Sequence, residues 1–252
     1  MDAKKVKTAL LRVASVEKAD ILSGFFRTGK GEYGEGDRFL GVVVPEQRKI
    51  ARKFFSERGS HSSQSTMAVV RELLRSTYHE ERFTALLILV EQYKRSPDED
   101  RQRLYDFYLE HLDRVNNWDL VDVSAPHIVG AHLLDKNPSI LFTLAESDNL
   151  WRRRVAVLAT FAFITAGRFE ETLSLAERLL VENKERHDLV HKAVGWMLRE
   201  VGKRDQRALE AFLDRHAVRL PRTALRYAIE RFDEAARRNY LAAGKYSRRS
   251  GK

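Results

Sequence analysis

Seven consecutive residues near the middle of the chain, Asn116 to Asp122, combine two amides, an indole and two carboxylates. In a helix, Trp118 and Asp122 are four residues apart and share a face, with Asp119 beside them. An indole next to a carboxylate suits a cation. The same stretch also fits a simple helix start, with Asn116 and Asn117 as capping amides and Asp119 favoured by the helix dipole.

Few other chemistries fit the titratable residues. The chain contains no cysteine, which excludes disulfides, thiol nucleophiles and cysteine-ligated metals. His187 and His191 are four residues apart but lack the glutamate spacing of a metalloprotease, and neither a P-loop nor a GxSxG motif is present. We therefore predict no metal and no cofactor. The remaining candidates are two carboxylates and one arginine that would contact an anion: Asp122, Asp119 and Arg154.

The charge balance favours a polyanionic partner. With 45 basic and 36 acidic residues, the 252-residue chain has a formal net charge of +9. Such an excess favours nucleic acid, since neutralised phosphates release counterions. The longest apolar run, Val155 to Ile164, is shorter than the roughly 18 residues that span a bilayer, and we find no signal peptide. These features predict a soluble cytoplasmic protein with no membrane partner.

The residues that position these candidates are predicted to be helical. Thirteen glycines and five prolines are few, whereas leucine, alanine, arginine and glutamate are abundant. The stretch from Gly29 to Gly36 lacks the GK[ST] of a phosphate loop and is predicted to be a surface loop. Pro45 suits the first turn of the next helix. From there the pattern predicts one helix after another.

An internal repeat defines the architecture. Five similar segments recur roughly every 32 to 39 residues, each after a more amphipathic helix. This period is typical of an all-α fold, an α-solenoid of HEAT-like helix pairs whose second helices line a concave face. We predict one domain over residues 1–244 and a disordered basic tail over 245–252. The five segments begin at His79, Asn117, Asn149, His187 and Leu220.

Charged and aromatic residues recur in these second helices. First-turn cations oppose the helix dipole, so their placement favours a positively charged concave face, although solvated surface charges are the alternative. Trp151 precedes an apolar run and is predicted to pack, whereas Trp118 and Trp196 have polar neighbours. The first-turn cations are Arg82, Arg153, Lys192 and Arg222.

Six blocks of the chain carry a family likeness. They are FLGVVVPEQRKIARKF, HEERFTALLILVEQYK, NNWDLVDVSAPHIVG, SDNLWRRRVAVLATF, HDLVHKAVGWMLREVGKRD and LPRTALRYAIERF. Because these blocks occur in order at matching spacing, the chain resembles the AlkD-type DNA alkylation repair family over roughly residues 24–240. The members of that family are HEAT-like-repeat DNA glycosylases.

The resemblance implies a site of two tryptophans, an aspartate and an arginine. Matched motif by motif, these are Trp118, Asp122, Arg154 and Trp196. A family aromatic in the N-terminal region corresponds to Phe25 or Phe26. The expected DNA contacts are these two phenylalanines together with basic residues, namely Arg82, Arg153, Lys192, Arg199, Lys203 and Arg222.

The implied activity is base excision. It is hydrolysis of the N-glycosidic bond of positively charged alkylpurines, of the 3-methyladenine and 7-methylguanine type, in double-stranded DNA. We expect the protein to be a monomer. Its expected partner is double-stranded DNA that contains alkylated bases. Two alternatives are a non-catalytic solenoid that binds damaged or branched DNA, and a HEAT-type protein scaffold.

Overall fold

The computed structural model describes residues 2–56, 62–182 and 185–246. Over these ranges the chain is helical and has no strand; an isolated bridge joins Arg38 to Tyr78. The all-α prediction is confirmed. No helix in the described ranges is long and apolar enough to cross a membrane. The chain divides into two compact units, which end and begin at Ile128 and Val129, and each is described by itself below.

Unit 1 contains seven α-helices within its described residues. They are α1 (Ala3–Leu11), α2 (Val16–Phe25), α3 (Val44–Ser56), α4 (Ser63–Leu74), α5 (His79–Arg95), α6 (Asp98–Glu110) and α7 (Trp118–Ser124). The N-terminal apolar segment forms two helices because Ser15 caps α2, its hydroxyl accepting a hydrogen bond from the Lys18 amide at 3.4 Å. The glycine-rich stretch between α2 and α3 forms turns, as predicted.

Helix α5 forms the centre of unit 1. Every residue from 79 to 90 is buried, so this part of the helix is covered on all sides, whereas its apolar run indicates burial on more than one side. Helices α3, α4 and α7 pack around it. The segment before α3 passes close to α2, where Gly41 has a φ of +78° and an added Cβ would lie 2.0 Å from the Ser15 carbonyl oxygen. Only glycine permits that approach.

Unit 2 repeats one arrangement of helix pairs. Its helices are α8 (Ala131–Leu133), α9 (Ser139–Ala145), α10 (Leu150–Thr165), α11 (Glu170–Glu177), α12 (Asp188–Gly202), α13 (Gln206–His216), α14 (Arg222–Ala228) and α15 (Glu234–Tyr246). Helix α12 packs against α10 and α14, while α9 packs on α10 and α13 on α12. This is the stacking of an α-solenoid, which confirms the predicted all-α solenoid class; the HEAT-like character of the pairs and the basic concave face stay predictions.

The predicted tail lies mostly beyond the described residues. Helix α15 extends through Tyr246, and residues 247–252 lie outside the described part of the chain. The single-domain organisation through residue 244 stays a prediction.

Three second helices of pairs, α5, α10 and α12, share one contact near their N-termini. In each, a side-chain donor reaches the carbonyl oxygen six residues earlier: Arg82 to Ser76 at 3.0 Å, Arg153 to Ser147 at 2.8 Å, and His191 to Glu185 at 2.7 Å. Ser76 and Ser147 follow the ends of α4 and α9, where the helix dipole favours a cation. The first-turn arginines therefore have an internal role, since they join the two helices of a pair.

Candidate functional site

The start of helix α7 is held by an amide cap. Asn117 is fully buried, and its side-chain oxygen accepts a hydrogen bond from the Trp118 amide at 2.8 Å, which confirms Asn117 as a capping residue. Asn116 does not share this role. Its side-chain oxygen is buried without a hydrogen-bond partner among the described residues, so the capping prediction for Asn116 is wrong.

Trp118 is packed on two phenylalanines of the N-terminal region. Its ring is half-buried and stacks on Phe26, with centroids 5.2 Å apart and an interplanar angle of 8°. Phe25 meets the indole edge-on at 6.0 Å. Phe26 is 6% exposed and Phe25 is 63% exposed. Both candidates for the N-terminal aromatic therefore contact Trp118, but only Phe25 has substantial surface to offer a ligand.

Asp119 takes part in a buried ionic chain. Its carboxylate lies 2.8 Å from Nε2 of His79, and Nδ1 of the same ring lies 3.0 Å from Asp37. Asp37 is also ion-paired with Arg82 and accepts a hydrogen bond from the Asn117 amide at 3.3 Å. Asp119 therefore does more than complement the helix dipole. It anchors α7 to α5 and to the loop before α3.

Asp37 and Asp119 stabilise the protonated form of the His79 ring, one carboxylate at each ring nitrogen. Burial by itself would lower the pKa of His79, but the charge of Asp119 and the hydrogen bonds to Asp119 and Asp37 outweigh it and raise the pKa to about 9. Burial would likewise raise the pKa of Asp37, but the His79 hydrogen bond and the Arg82 charge lower it. At neutral pH the ring is therefore an imidazolium that donates from both nitrogens.

The same imidazolium lies within the aromatic cluster. Its ring centroid is 4.8 Å from that of Phe26 and 4.8 Å from that of Phe39. Phe26 in turn stacks on Trp118. The ionic chain and the aromatic stack therefore fix the position of the indole together.

Glu80 holds the neighbouring loop. Its two carboxylate oxygens accept hydrogen bonds from three consecutive backbone amides, those of Leu40, Gly41 and Val42, at 2.9, 2.8 and 3.1 Å. Glu80 is 1% exposed, and its negative charge is favoured at the start of α5. Two successive residues of α5, His79 and Glu80, therefore attach the segment that carries Asp37 and Phe39.

Trp118 and Asp122 line one cleft of unit 1, with a volume of about 480 Å³. This confirms that the two side chains share a face. Both are half-buried. The other lining residues of the cleft are aromatic, apolar or charged, and include Phe25, Phe26, Asp119, Arg48, Lys94 and His127. The cleft thus combines two carboxylates, an aromatic wall, two cations and a histidine.

The other two site residues that the resemblance implies lie in unit 2. Arg154 is 5% exposed, and its Nη1 donates to the Leu189 carbonyl at 2.6 Å, which joins α10 to α12. Trp196 is half-buried, and its indole N–H donates to Glu200 at 3.3 Å. Trp151 is buried, as its predicted packing role requires. A single site that includes Trp118, Asp122, Arg154 and Trp196 stays a prediction.

The structure corrects the expectation for Arg82. Its side chain is 1% exposed and ion-paired with Asp37, so it has no surface with which to contact DNA. The other predicted DNA contacts keep some exposure but are engaged internally. Their partners are Glu185 for Arg153, Asp188 for Lys192, Glu230 for Arg199, Glu200 for Lys203 and the Leu241 carbonyl for Arg222.

No group of three His, Asp or Glu side chains in the described ranges is arranged to hold a metal ion.

Comparison with known proteins identifies the family. The chain is similar to a solved structure of a predicted DNA alkylation repair enzyme from Enterococcus faecalis, with a TM-score of 0.70 and 17% identity, over 88% of this chain and 97% of that one. At that identity the likeness shows the fold alone. No curated protein matches the sequence. The family model for DNA alkylation repair enzymes matches residues 6–232. The chain therefore belongs to the DNA alkylation repair enzyme family.

Proposed function

We propose that the protein is a DNA glycosylase that hydrolyses the N-glycosidic bond of alkylated, positively charged purines in double-stranded DNA. The observation that carries the proposal is the cleft in unit 1, where Asp122 and Trp118 line the same wall beside Phe25 and Phe26. Membership of the DNA alkylation repair family supports DNA as the substrate. The net charge of +9 supports a polyanionic ligand.

The chemistry needs little acid catalysis. A purine alkylated at N3 or N7 already carries positive charge, so the base is a good leaving group. As the bond breaks, positive charge develops on the deoxyribose. Asp122 supplies a negative charge where this cation grows, and it positions or deprotonates the attacking water.

Trp118 stabilises the same cation through its ring. A cation held over an indole is stabilised by about 0.5–2 kcal/mol, and more when water is excluded. The ring is set in advance by the Asn117 cap and by the stack on Phe26. A ring held in this way does not have to reorient as the charge develops, which is what a catalytic contact requires.

The family resemblance adds Trp196 and Arg154 to the proposed catalytic group. Trp196 offers a second half-exposed indole for the sugar and its backbone. The resemblance implies that Arg154 contacts a phosphate that flanks the lesion, which its 5% exposure restricts to the small exposed part of its side chain. Its hydrogen bond to the Leu189 carbonyl also places α12, the helix that carries Trp196.

The test is release of bases from methylated DNA. Wild-type protein is incubated with methylated duplex, and the released bases are identified by mass spectrometry. We expect 7-methylguanine and 3-methyladenine from the wild type, a loss of about 100-fold or more in rate for Asp122→Asn, and nearly unchanged DNA affinity. Asp113→Asn, an exposed carboxylate of unit 1, is the matched control and should retain full activity.

Two results would contradict the proposal. Undiminished excision by Asp122→Asn would show that this carboxylate takes no part in catalysis. Tight binding of damaged duplex without release of any base would favour a non-catalytic DNA-binding protein.

A further inference from the structure

Two cations and a histidine of unit 1 lie together in the cleft that contains Trp118 and Asp122. Arg48 comes from α3, Lys94 from the end of α5, and His127 from the segment after α7. All three are exposed. They were not among the candidate residues derived from the sequence, because they lie on different helices and share no motif.

The two cations lack the partners that other cations of the molecule have. Within the described residues, neither the Arg48 guanidinium nor the Lys94 ammonium forms an ion pair or a side-chain hydrogen bond. Their immediate neighbours differ. Lys49 pairs with Glu46, and Arg95 pairs with Glu91. Arg48 and Lys94 are therefore exposed cations of the cleft that form no ion pair within the described residues.

Lys94 and Arg48 are both close enough to His127 to influence it. Partial burial of the ring and then the charges of Lys94 and Arg48 lower the pKa of His127. Two cations beside this ring disfavour its protonated form in the free protein. The arrangement becomes favourable when an anion lies between them.

Helix α3 extends the positive surface. Arg52 lies four residues after Arg48, and both line a smaller hollow of about 170 Å³ next to the main cleft, together with Glu91, whose charge is paired with Arg95. Like charges at this spacing weaken an isolated helix, and no carboxylate pairs with Arg52 among the described residues. Helix stability therefore does not explain why Arg48 and Arg52 lie on the same face of α3. Binding of successive phosphates along α3 would explain it.

The geometry points to a phosphodiester-binding subsite formed by Arg48, Lys94 and His127, which holds the DNA backbone next to the nucleotide at Trp118 and Asp122. The inference rests on the proposed function for the identity of that nucleotide, but the binding of backbone phosphate does not depend on catalysis. Phosphate contacts of this kind carry no sequence information and set the position of the duplex.

The test uses undamaged duplex DNA and the full chain. Fluorescence anisotropy gives the Kd over a range of salt concentrations for the wild type, Arg48→Gln, Lys94→Gln and the double variant. We expect each single change to reduce the slope of log affinity against log salt by about 0.9, and the double change by about 1.8. The matched controls Lys49→Gln and Arg95→Gln, one residue away and paired with glutamates, should leave the slope unchanged.

Slopes that fall no further in the cleft variants than in the controls would overturn the subsite. If the slopes fall as expected but the wild type releases no base from methylated DNA, the subsite stands and the glycosylase proposal fails. If the wild type excises bases and the slopes do not move, the glycosylase stands and the subsite fails. Thermal melting by circular dichroism checks that each variant is folded.

Discussion

Unit 1 and unit 2 hold their candidate tryptophans by different means. In unit 1, Trp118 starts a helix that is joined to its surroundings by an amide cap, an aromatic stack and the ionic chain through Asp119 and His79. In unit 2, the indole N–H of Trp196 donates to Glu200 in the next turn of its own helix. Trp118 is thus positioned through contacts with other segments of unit 1, including buried charges. Trp196 is held by a hydrogen bond within its own helix.

This difference indicates where unit 1 is sensitive. A buried ion pair is weak evidence for net stability, but the loss of one partner is costly because a charge remains buried and unpaired. Substitution of Asp37 should be the most costly, because its carboxylate is the partner of Arg82, His79 and Asn117 at once. In unit 2 the corresponding ion pair, Arg153 with Glu185, is nearer the solvent.

The largest expected effect comes from breaking the two ion pairs in parallel. Asp37→Asn should lower the free energy of unfolding by about 3–5 kcal/mol, because Arg82 and protonated His79 lose their shared anion. Glu185→Gln should lower it by only about 1–2 kcal/mol, because Arg153 keeps its carbonyl partners Ser147 and Asp148. Urea denaturation measures both variants. Equal losses of unfolding free energy would show that the ionic chain of unit 1 stabilises the protein no more than the ion pair of unit 2.

The second effect is a pH dependence of opposite sign in the two units. The folded pKa of His79 is raised from 6.5 to about 9, so its stabilising contribution is complete below pH 6.5 and is lost as the pH rises through about 9. The pKa of His216 in unit 2 is lowered, because burial and the charges of Arg219 and Arg215 outweigh the opposing charge of Glu177. Its contribution is therefore lost as the pH falls below 6.5.

Urea unfolding of the wild type and His79→Gln between pH 6 and pH 10 measures the alkaline part. The wild type should be more stable than the variant at pH 6, and this advantage should shrink by at most about 3 kcal/mol toward pH 10. His216→Gln is the unit 2 counterpart and should retain the alkaline slope. A stability difference for His79→Gln that is independent of pH would show that the ring is neutral in the folded protein.

The smallest expected effect separates the two indoles in catalysis. On the proposed mechanism, Trp118→Ala and Trp196→Ala should each slow single-turnover release of 7-methylguanine by about 2- to 30-fold, with the larger loss at Trp118 because its ring lies in the cleft with Asp122. Trp151→Phe is the control, since Trp151 is buried and packs away from solvent. A loss at Trp151 as large as that at Trp118 would indicate that the effects come from packing.

Much of the local structure was predictable from the sequence. The apolar run in α5 indicated burial on more than one side of that helix, and every residue from 79 to 90 is buried. The spacing of four residues predicted that Trp118 and Asp122 share a face. These predictions succeed because they depend on the 3.6-residue period of a single helix, which neighbouring residues set by themselves.

Predictions that needed contacts between distant residues were less successful. Arg82 was expected at the surface, yet it is buried against Asp37, 45 residues earlier in the chain. Asn116 was expected to cap α7, but Asn117 does so. His79 was not recognised as part of the site, since its two carboxylate partners lie 42 and 40 residues away. A first-turn cation looks the same in sequence whether it meets a phosphate or a carboxylate of its own chain.

The sequence alone determined the helical repeat, the excess of positive charge and the pairing of an indole with a carboxylate on one helix face. These properties follow from composition and short-range periodicity. Only the tertiary structure decided which cations are neutralised and which face the cleft. That decision depends on the packing of α3, α5 and α7, because whether an arginine meets a carboxylate or solvent is set by side chains from other helices.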